Sequence, residues 1–361
     1  MSTAQTWWLT NGKLITPRGI ARGAVGIRGG RLAHVGAAPS HGDERIDARG
    51  YYVAPGFIDL HVWGEPEALS RELVTHGTTA FLVAVGPAAP REMRERLAAL
   101  RRQRSDAGAR CLGAHLEGPF LNPRRAGALP ARWMRRPSVM ELRQIVRAGR
   151  ARLMTIAPEL PGALAVIRWC RRRRIVVSLG HSQAEAPGAL RAVEAGARAV
   201  THVFNGMPPL HHRRPSVLDV ALTDPRLITM AIADGIHLSP LAFRLLVRAK
   251  GQERIALVTD SIRWQRGGAV ARGGAFFTRA GVLAGSDLTM MRALHNAMAF
   301  AGLSLWEAVR MATEVPAHVL GLWHERGSLE VGKRADLVVF DSQFHTSMTI
   351  VGGEIVYQRR R

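Results

Sequence analysis

The chain has 361 residues, 47% of them hydrophobic, and a formal net charge of +22. That is enough apolar material for one large folded unit with a small accessory one. The opening MSTAQTWWLTNGKLITP lacks the basic start and apolar core of a secretory signal, and no apolar run approaches the ~18–20 residues of a membrane span, so a cytoplasmic protein without membrane contact is expected. Lysine occurs only at Lys13, Lys250 and Lys333, so the excess charge is arginine; Arg171–Arg174 and Arg359–Arg361 are its densest runs. No zinc-finger, RNP-type or basic-zipper pattern accompanies it, which favours a solvated basic surface over a specific nucleic-acid partner. Cys111 and Cys170 each sit in an apolar segment and read as buried, reduced thiols.

In chain order, residues 6–54 read as short alternating strands with Gly-rich turns. The middle alternates short apolar runs with helix-like stretches. Strands are expected at 57–62, 79–85, 111–117, 152–157, 175–181, 198–202, 229–233 and 255–260. Helices are expected between them, among others at 66–77, 91–104, 137–150 and 186–196. Eight such repeats predict an α/β fold of the (β/α)8 TIM-barrel type. The tail 326–361 returns to the texture of the N-terminus, so residues 1–54 and 326–361 are expected to combine into a small β-sandwich beside a barrel of residues 55–325.

Several of the predicted strands end on a polar residue: Glu117 closes CLGAHLE, His181 closes IVVSLGH, His202 closes ARAVTH and Asp260 closes RIALVTD. The carboxyl ends of barrel strands share one mouth, where catalytic groups gather. One carboxylate and two imidazoles meeting there suit a divalent metal with an open position for water, and Asp260 then suits a general base. A rival reading makes each histidine a hydrogen-bonded core residue and Asp260 a helix N-cap.

The ordered motifs PGFIDLHVWG (55–64), HLEGPFLNP (115–123), GHSQA (180–184), THVFNGMPPL (201–210), IADGIHL (232–238), LVTDS (257–261) and LAGSDLTM (283–290) carry a resemblance, as does GSLEVGKRADLVVFD (327–341). Over essentially its whole length the chain resembles the N-acetylglucosamine-6-phosphate deacetylases of the amidohydrolase superfamily. The resemblance implies Glu117, His181 and His202 as ligands of one divalent metal per subunit, zinc first, with iron, cobalt or manganese also compatible. It implies Asp260 as the catalytic acid/base, and Asn205, Gly206, Arg213 and His237 as holders of the phosphate and sugar. Arg213 would reach into a neighbouring subunit, hence a homodimer. The implied reaction converts an N-acetylated amino-sugar phosphate, N-acetylglucosamine 6-phosphate by default, to the free amine and acetate. A different N-acyl amino sugar, or a non-catalytic ligand-binding descendant, are the alternatives; the retained Asp260 speaks against the latter.

Three departures cluster at the same mouth. Trp63 stands where many relatives carry the second histidine of an HxH pair, so His61 is left without a partner for a second metal. Leu129, in GALP (127–130), stands where a histidine contacts the acetyl oxygen. Helix-like sequence begins directly after Gly64, without the family's Gly-rich loop, so that wall is expected to be open or reshaped.

Overall fold

The structure is a computed structural model that describes residues 6–37, 44–102, 108–263 and 267–360. Residues 103–104 of one expected helix and Arg361 of the C-terminal arginine run lie outside the described residues.

The chain opens with β1 (Trp7–Thr16), β2 (Gly19–Arg28), β3 (Arg31–Gly36), β4 (Arg45–Asp47) and β5 (Tyr52–Pro55). Eight strand–helix repeats follow. They run β6 (Phe57–Val62), α1 (Pro66–Leu73), β7 (Thr78–Val85), α2 (Pro90–Arg102), β8 (Arg110–Glu117), α3 (Val139–Ala148), β9 (Ala151–Ile156) and α4 (Ala163–Arg172). Then come β10 (Val176–Leu179), α5 (Ala186–Ala195), β11 (Ala199–Val200), α6 (Val217–Thr223), β12 (Ile228–Ala231), α7 (Pro240–Lys250) and β13 (Ile255–Leu257). A small antiparallel sheet, β14 (Val270–Arg272), β15 (Ala275–Phe277) and β16 (Leu283–Ser286), precedes α8 (Met290–Ala301), α9 (Leu305–Ala312) and α10 (Glu314–Val319). The chain closes with β17 (Leu337–Phe340), β18 (Thr346–Val351) and β19 (Glu354–Gln358).

Strands β6 to β13 pair in parallel, each with the next in sequence. Every residue of β6 and β7 is buried, as expected of strands covered on both faces. The seam between β6 and β13 is closed at the mouth. There Asp260 N donates to His61 O (2.9 Å), Trp63 N donates to Ser261 O (3.0 Å), and Thr259 Oγ1 donates to the buried Asp59 carboxylate (2.6 Å). Burial pushes the Asp59 carboxyl up to about 6, against the hydrogen bonds it accepts from Thr259 and from the His61 backbone N–H. The helices start where the sequence supplies caps: Ser138 accepts from Glu141 N, and Ser216 with Asp219 and Ser304 with Glu307 form capping boxes.

The two termini form one connected sheet in the order β19-β18-β17-β5-β1-β2-β3, with β4 on β1. It folds over its own core of Leu9, Val25, Ile27, Leu337, Val339 and Ile350, so the layers of the expected sandwich belong to a single curled sheet. Where its ends meet, Ala335 N donates to Gly30 O and Gly353 N to Ala335 O, both 2.9 Å. Gly30, at φ 74°, allows this, since a Cβ there would lie 2.7 Å from Gly352 O. The β14–β16 insertion was not anticipated, because its three- and four-residue strands lie among the Gly pairs 267–268 and 273–274. Cys170 is buried and Cys111 half-buried; neither is bridged, and burial pushes their thiols up to about 12 and about 11.

Candidate active site

Glu117 is the last residue of β8, and His61 lies inside β6. His181, His202 and Asp260 sit beyond their strands, two residues after β10, two after β11 and three after β13. The expected strands therefore overrun there, and the backbone explains why. His181, His202 and Asp260 have φ of 47°, 27° and 48°. Non-glycine residues pay a steric cost in this left-handed region, and such conformations collect where a side chain must be aimed.

The aim is convergent. Glu117 Oε1 lies 3.1 Å from His181 Nε2 and 2.9 Å from His202 Nε2, and the two imidazole nitrogens are 3.1 Å apart. Ligands about 2.0–2.1 Å from a tetrahedral cation lie about 3.3 Å from one another, close to this spacing. His181 Nδ1 is 2.7 Å from Arg125 O, and a carbonyl can only accept. In the neutral His181 ring the proton is therefore on Nδ1, so the Nε2 lone pair points at the Glu117 oxygen. Two facing lone pairs repel unless a proton or cation lies between them, so the donor set fits a divalent metal. The Nδ1 contact supplies the outer hydrogen bond that orients a ligating imidazole. Burial alone pushes the His181 ring down, but the Glu117 carboxylate outweighs it and the net direction is up. Glu117, raised by burial but opposed by His61, His181 and His202, ends well below the usual carboxylate range.

Glu117, His61 and His202 also present ligand atoms within 4.8 Å of one another. The tighter triad is the one with His181; His61 Nε2 stands 3.6 Å from the same Glu117 oxygen, and its other nitrogen turns away from the focus. Its Nδ1 is 2.7 Å from His115 Nδ1, an atom that also lies 3.1 Å from Leu60 O. Because Leu60 O can only accept, His115 is the donor and neutral His61 keeps its proton on Nε2. That Nε2 is 3.1 Å from Asp260 Oδ1, though not aligned as a hydrogen bond. Burial pushes the His61 ring down, but Glu117 and Asp260 raise it to about 9. Behind it, His115 Nε2 meets Thr155 Oγ1 (2.7 Å), Thr155 meets Thr201 Oγ1 (2.7 Å), and Thr201 meets Ser178 Oγ (2.6 Å). This polar chain inside the barrel escaped the sequence analysis. Its signal was the i, i+2 spacing of His115 and Glu117, which sends both side chains to one face of β8.

Asp260 is not a helix cap; α8 starts at Met290 and is capped by Thr289. Its Oδ1 accepts from Trp63 Nε1 at 3.0 Å, and its Oδ2 is 3.9 Å from His237 Nε2. His237 is aimed by Asp234, whose Oδ2 is 2.6 Å from Nδ1 and whose Oδ1 accepts from the His237 backbone N–H at 2.7 Å. Asp234 was also unforeseen. Trp63, Glu117, Leu129, His181, His202, Asn205, Gly206, His237 and Asp260 all line one cavity of about 250 Å³. Gly206 has φ 65°, and a Cβ there would stand 3.2 Å from His181 Nδ1, so glycine keeps the ring's wall close. Arg213 is not brought in: it is exposed on its loop, and its guanidinium has no partner among the described residues. Beside Gly64 the site is lined by Trp63, which also lines a neighbouring cavity of about 270 Å³ with Gly64, Glu65 and Arg96.

A closed parallel barrel with histidines and a carboxylate at its mouth defines a class. The model of the Amidohydrolase family matches residues 52–356, and the chain belongs to that family. It is 34% identical to the N-acetylglucosamine-6-phosphate deacetylase of Bacillus subtilis (strain 168), over 94% of this chain and 93% of the relative. It is also 34% identical to the N-acetylgalactosamine-6-phosphate deacetylase of Escherichia coli O157:H7, over 84% and 87%. The crystal structure of N-acetylglucosamine-6-phosphate deacetylase from Pasteurella multocida superposes with a TM-score of 0.89 at 28% identity, covering 98% of this chain and all of that one. Within its family the chain falls among the N-acetylglucosamine-6-phosphate deacetylases, and it is an enzyme of that type. Among the described residues no helix is long and apolar enough to cross a membrane.

Proposed function

We propose that the protein hydrolyses the acetamide of an N-acetylated amino-sugar phosphate, N-acetylglucosamine 6-phosphate in the first instance, to the free amine and acetate. The observation that carries this reading is the focus itself. Glu117, His181 and His202 converge to within 3.1 Å, and a separate carboxylate, Asp260, shares their cavity. A divalent ion held by those three residues, with zinc favoured by their mixed N/O character, supplies Lewis acidity for the carbonyl and lowers the pKa of water. Every other step belongs to side chains. Trp63 fixes Asp260 through Oδ1, which leaves Oδ2 on the cavity side to take the proton of the attacking water and return it to the departing nitrogen. The proton on His61 Nε2 faces the same carboxylate and steadies its charge. It also makes His61 a poor ligand, which with Trp63 in place of a histidine supports a single ion. Asn205, Gly206 and His237 form the polar wall for sugar hydroxyls and phosphate.

Arg213 joins that wall from a second copy of the chain. Its exposure and a guanidinium without a partner among the described residues support this, as do Leu241 and Leu245, exposed one turn apart on α7. The names of the relatives leave the gluco and galacto epimers both as candidates.

Acetate release from the 6-phosphates of N-acetylglucosamine and N-acetylgalactosamine, and from unphosphorylated N-acetylglucosamine, tests the reading. The phosphorylated sugars should be turned over, and Asp260→Asn should lose at least about 100-fold in kcat with metal content unchanged. Binding without turnover of any of them would mark a ligand-binding descendant instead.

A further inference from the structure

The cavity at the reaction focus is lined by two chemically different groups of residues. On one side stand an amide, a backbone glycine and an imidazole, from Asn205, Gly206 and His237. On the other stand Trp63, Ala128, Leu129 and Ala284, and these same four residues wall a second cavity of about 370 Å³. That cavity continues past Ile262, Ala269 and Thr278, and among the described residues Arg279 is the one charged side chain lining it. Trp63 and Leu129 lean on one stretch of backbone: a Cβ built on Gly86 would meet the indole at 2.9 Å and Leu129 Cδ2 at 3.3 Å. Glycine at 86 thus lets the two side chains form a continuous apolar wall from Asp260 outward.

An amide placed at the focus has two arms. The sugar arm carries hydroxyls and a phosphate, and pressing it against Trp63 and Leu129 would strip those groups of partners. It therefore takes the polar side, and the acyl arm takes the apolar one. Acetyl ends within the first cavity and leaves the second unused. We propose that this second cavity is an acyl-tail subsite, and that the enzyme acts on N-acyl amino-sugar phosphates with straight chains longer than acetyl, from propanoyl to hexanoyl. This rests on the amide-hydrolase reading above. The chemistry balances in the same way for any chain. Water oxygen bonds to the carbonyl carbon, the carbon–nitrogen bond breaks, and the water's proton travels through Asp260 to the nitrogen. The alkyl carboxylate and the amine leave.

The test is kcat/KM on the 6-phosphates of N-acetyl-, N-propanoyl-, N-butanoyl- and N-hexanoylglucosamine, with the metal-loaded enzyme. A buried methylene is worth about 0.8 kcal/mol, or about fourfold, so butanoyl should exceed acetyl by about fifteenfold, chiefly through KM. Ala269→Phe, which fills the outer cavity, should collapse the butanoyl-to-acetyl ratio toward one; a ratio within one preparation is insensitive to the fraction folded. Values that are flat or fall with chain length overturn the subsite and leave the deacetylase reading standing. No hydrolysis of any compound, acetyl included, overturns both.

Discussion

Replacing Trp63 with phenylalanine removes the donor that holds Asp260 and keeps most of the aromatic wall. The lost contact is an N–H···carboxylate hydrogen bond of 3.0 Å. Hydrogen bonds to charged groups are worth about 1.5–3 kcal/mol, which corresponds to roughly 10- to 150-fold in rate if the whole contact serves the transition state. Two features place the expectation at the low end. The Asp260 side chain keeps 12% exposure, so water can replace the indole, and His61 Nε2 remains 3.1 Å from the same oxygen. We expect kcat to fall about tenfold, with KM for the acetyl substrate changed by less than about threefold, because the donor orients the base rather than the sugar. The assay is steady-state acetate release, with Tm and metal content measured on the same preparation. A kcat within about twofold of the parent, at unchanged Tm and metal content, would refute the claim that Trp63 positions the base.

The remaining expectations concern the ion, the phosphate and the acyl wall. Elemental analysis should find about one divalent ion per chain, lost in His181→Ala and in His202→Ala; two tightly held ions would contradict the role given to Trp63 and His61. Arg213→Ala should raise KM for phosphorylated substrates by at least about tenfold more than for unphosphorylated ones, since a charge-assisted contact is lost, and an equal loss for both would assign Arg213 to folding or assembly. Leu129→His should raise turnover of the acetyl substrate, by at most the ~3–4 kcal/mol an oxyanion donor supplies and by less if the graft is poorly oriented; no gain with metal retained would mean that another group already supports the carbonyl.

Much of this architecture was legible because its physics is local. Strands buried on both faces must be apolar throughout, so β6 to β9 were readable to within a residue or two at each end. The late strands were overrun for a different reason. His181, His202 and Asp260 leave the ladder through left-handed backbone, and nothing in the runs IVVSLGH or RIALVTD distinguishes such a residue from an ordinary strand end. Alternation could have been pressed further. Asp59 and His61 on β6, like His115 and Glu117 on β8, share a parity, and in a closed barrel one parity points inward. That rule alone would have brought His115 into the site. It would not have revealed that His115 donates to His61, because the deciding acceptor is the carbonyl of Leu60.

Trp63 marks where reading a motif stops and geometry takes over. A tryptophan in place of a histidine was visible in PGFIDLHVWG as the loss of a ligand. What the residue supplies instead depends on a partner 197 positions away, brought beside it by closure of the barrel seam. The same indole that donates to Asp260 forms the apolar wall with Leu129. The three departures at the mouth are therefore coupled: without the loop after Gly64 the tryptophan becomes the wall, and with tryptophan as the wall a leucine at 129 is its natural neighbour. Such coupling predicts that Trp63→His/Leu129→His differs from the sum of its single changes, because each side chain shapes the space the other occupies.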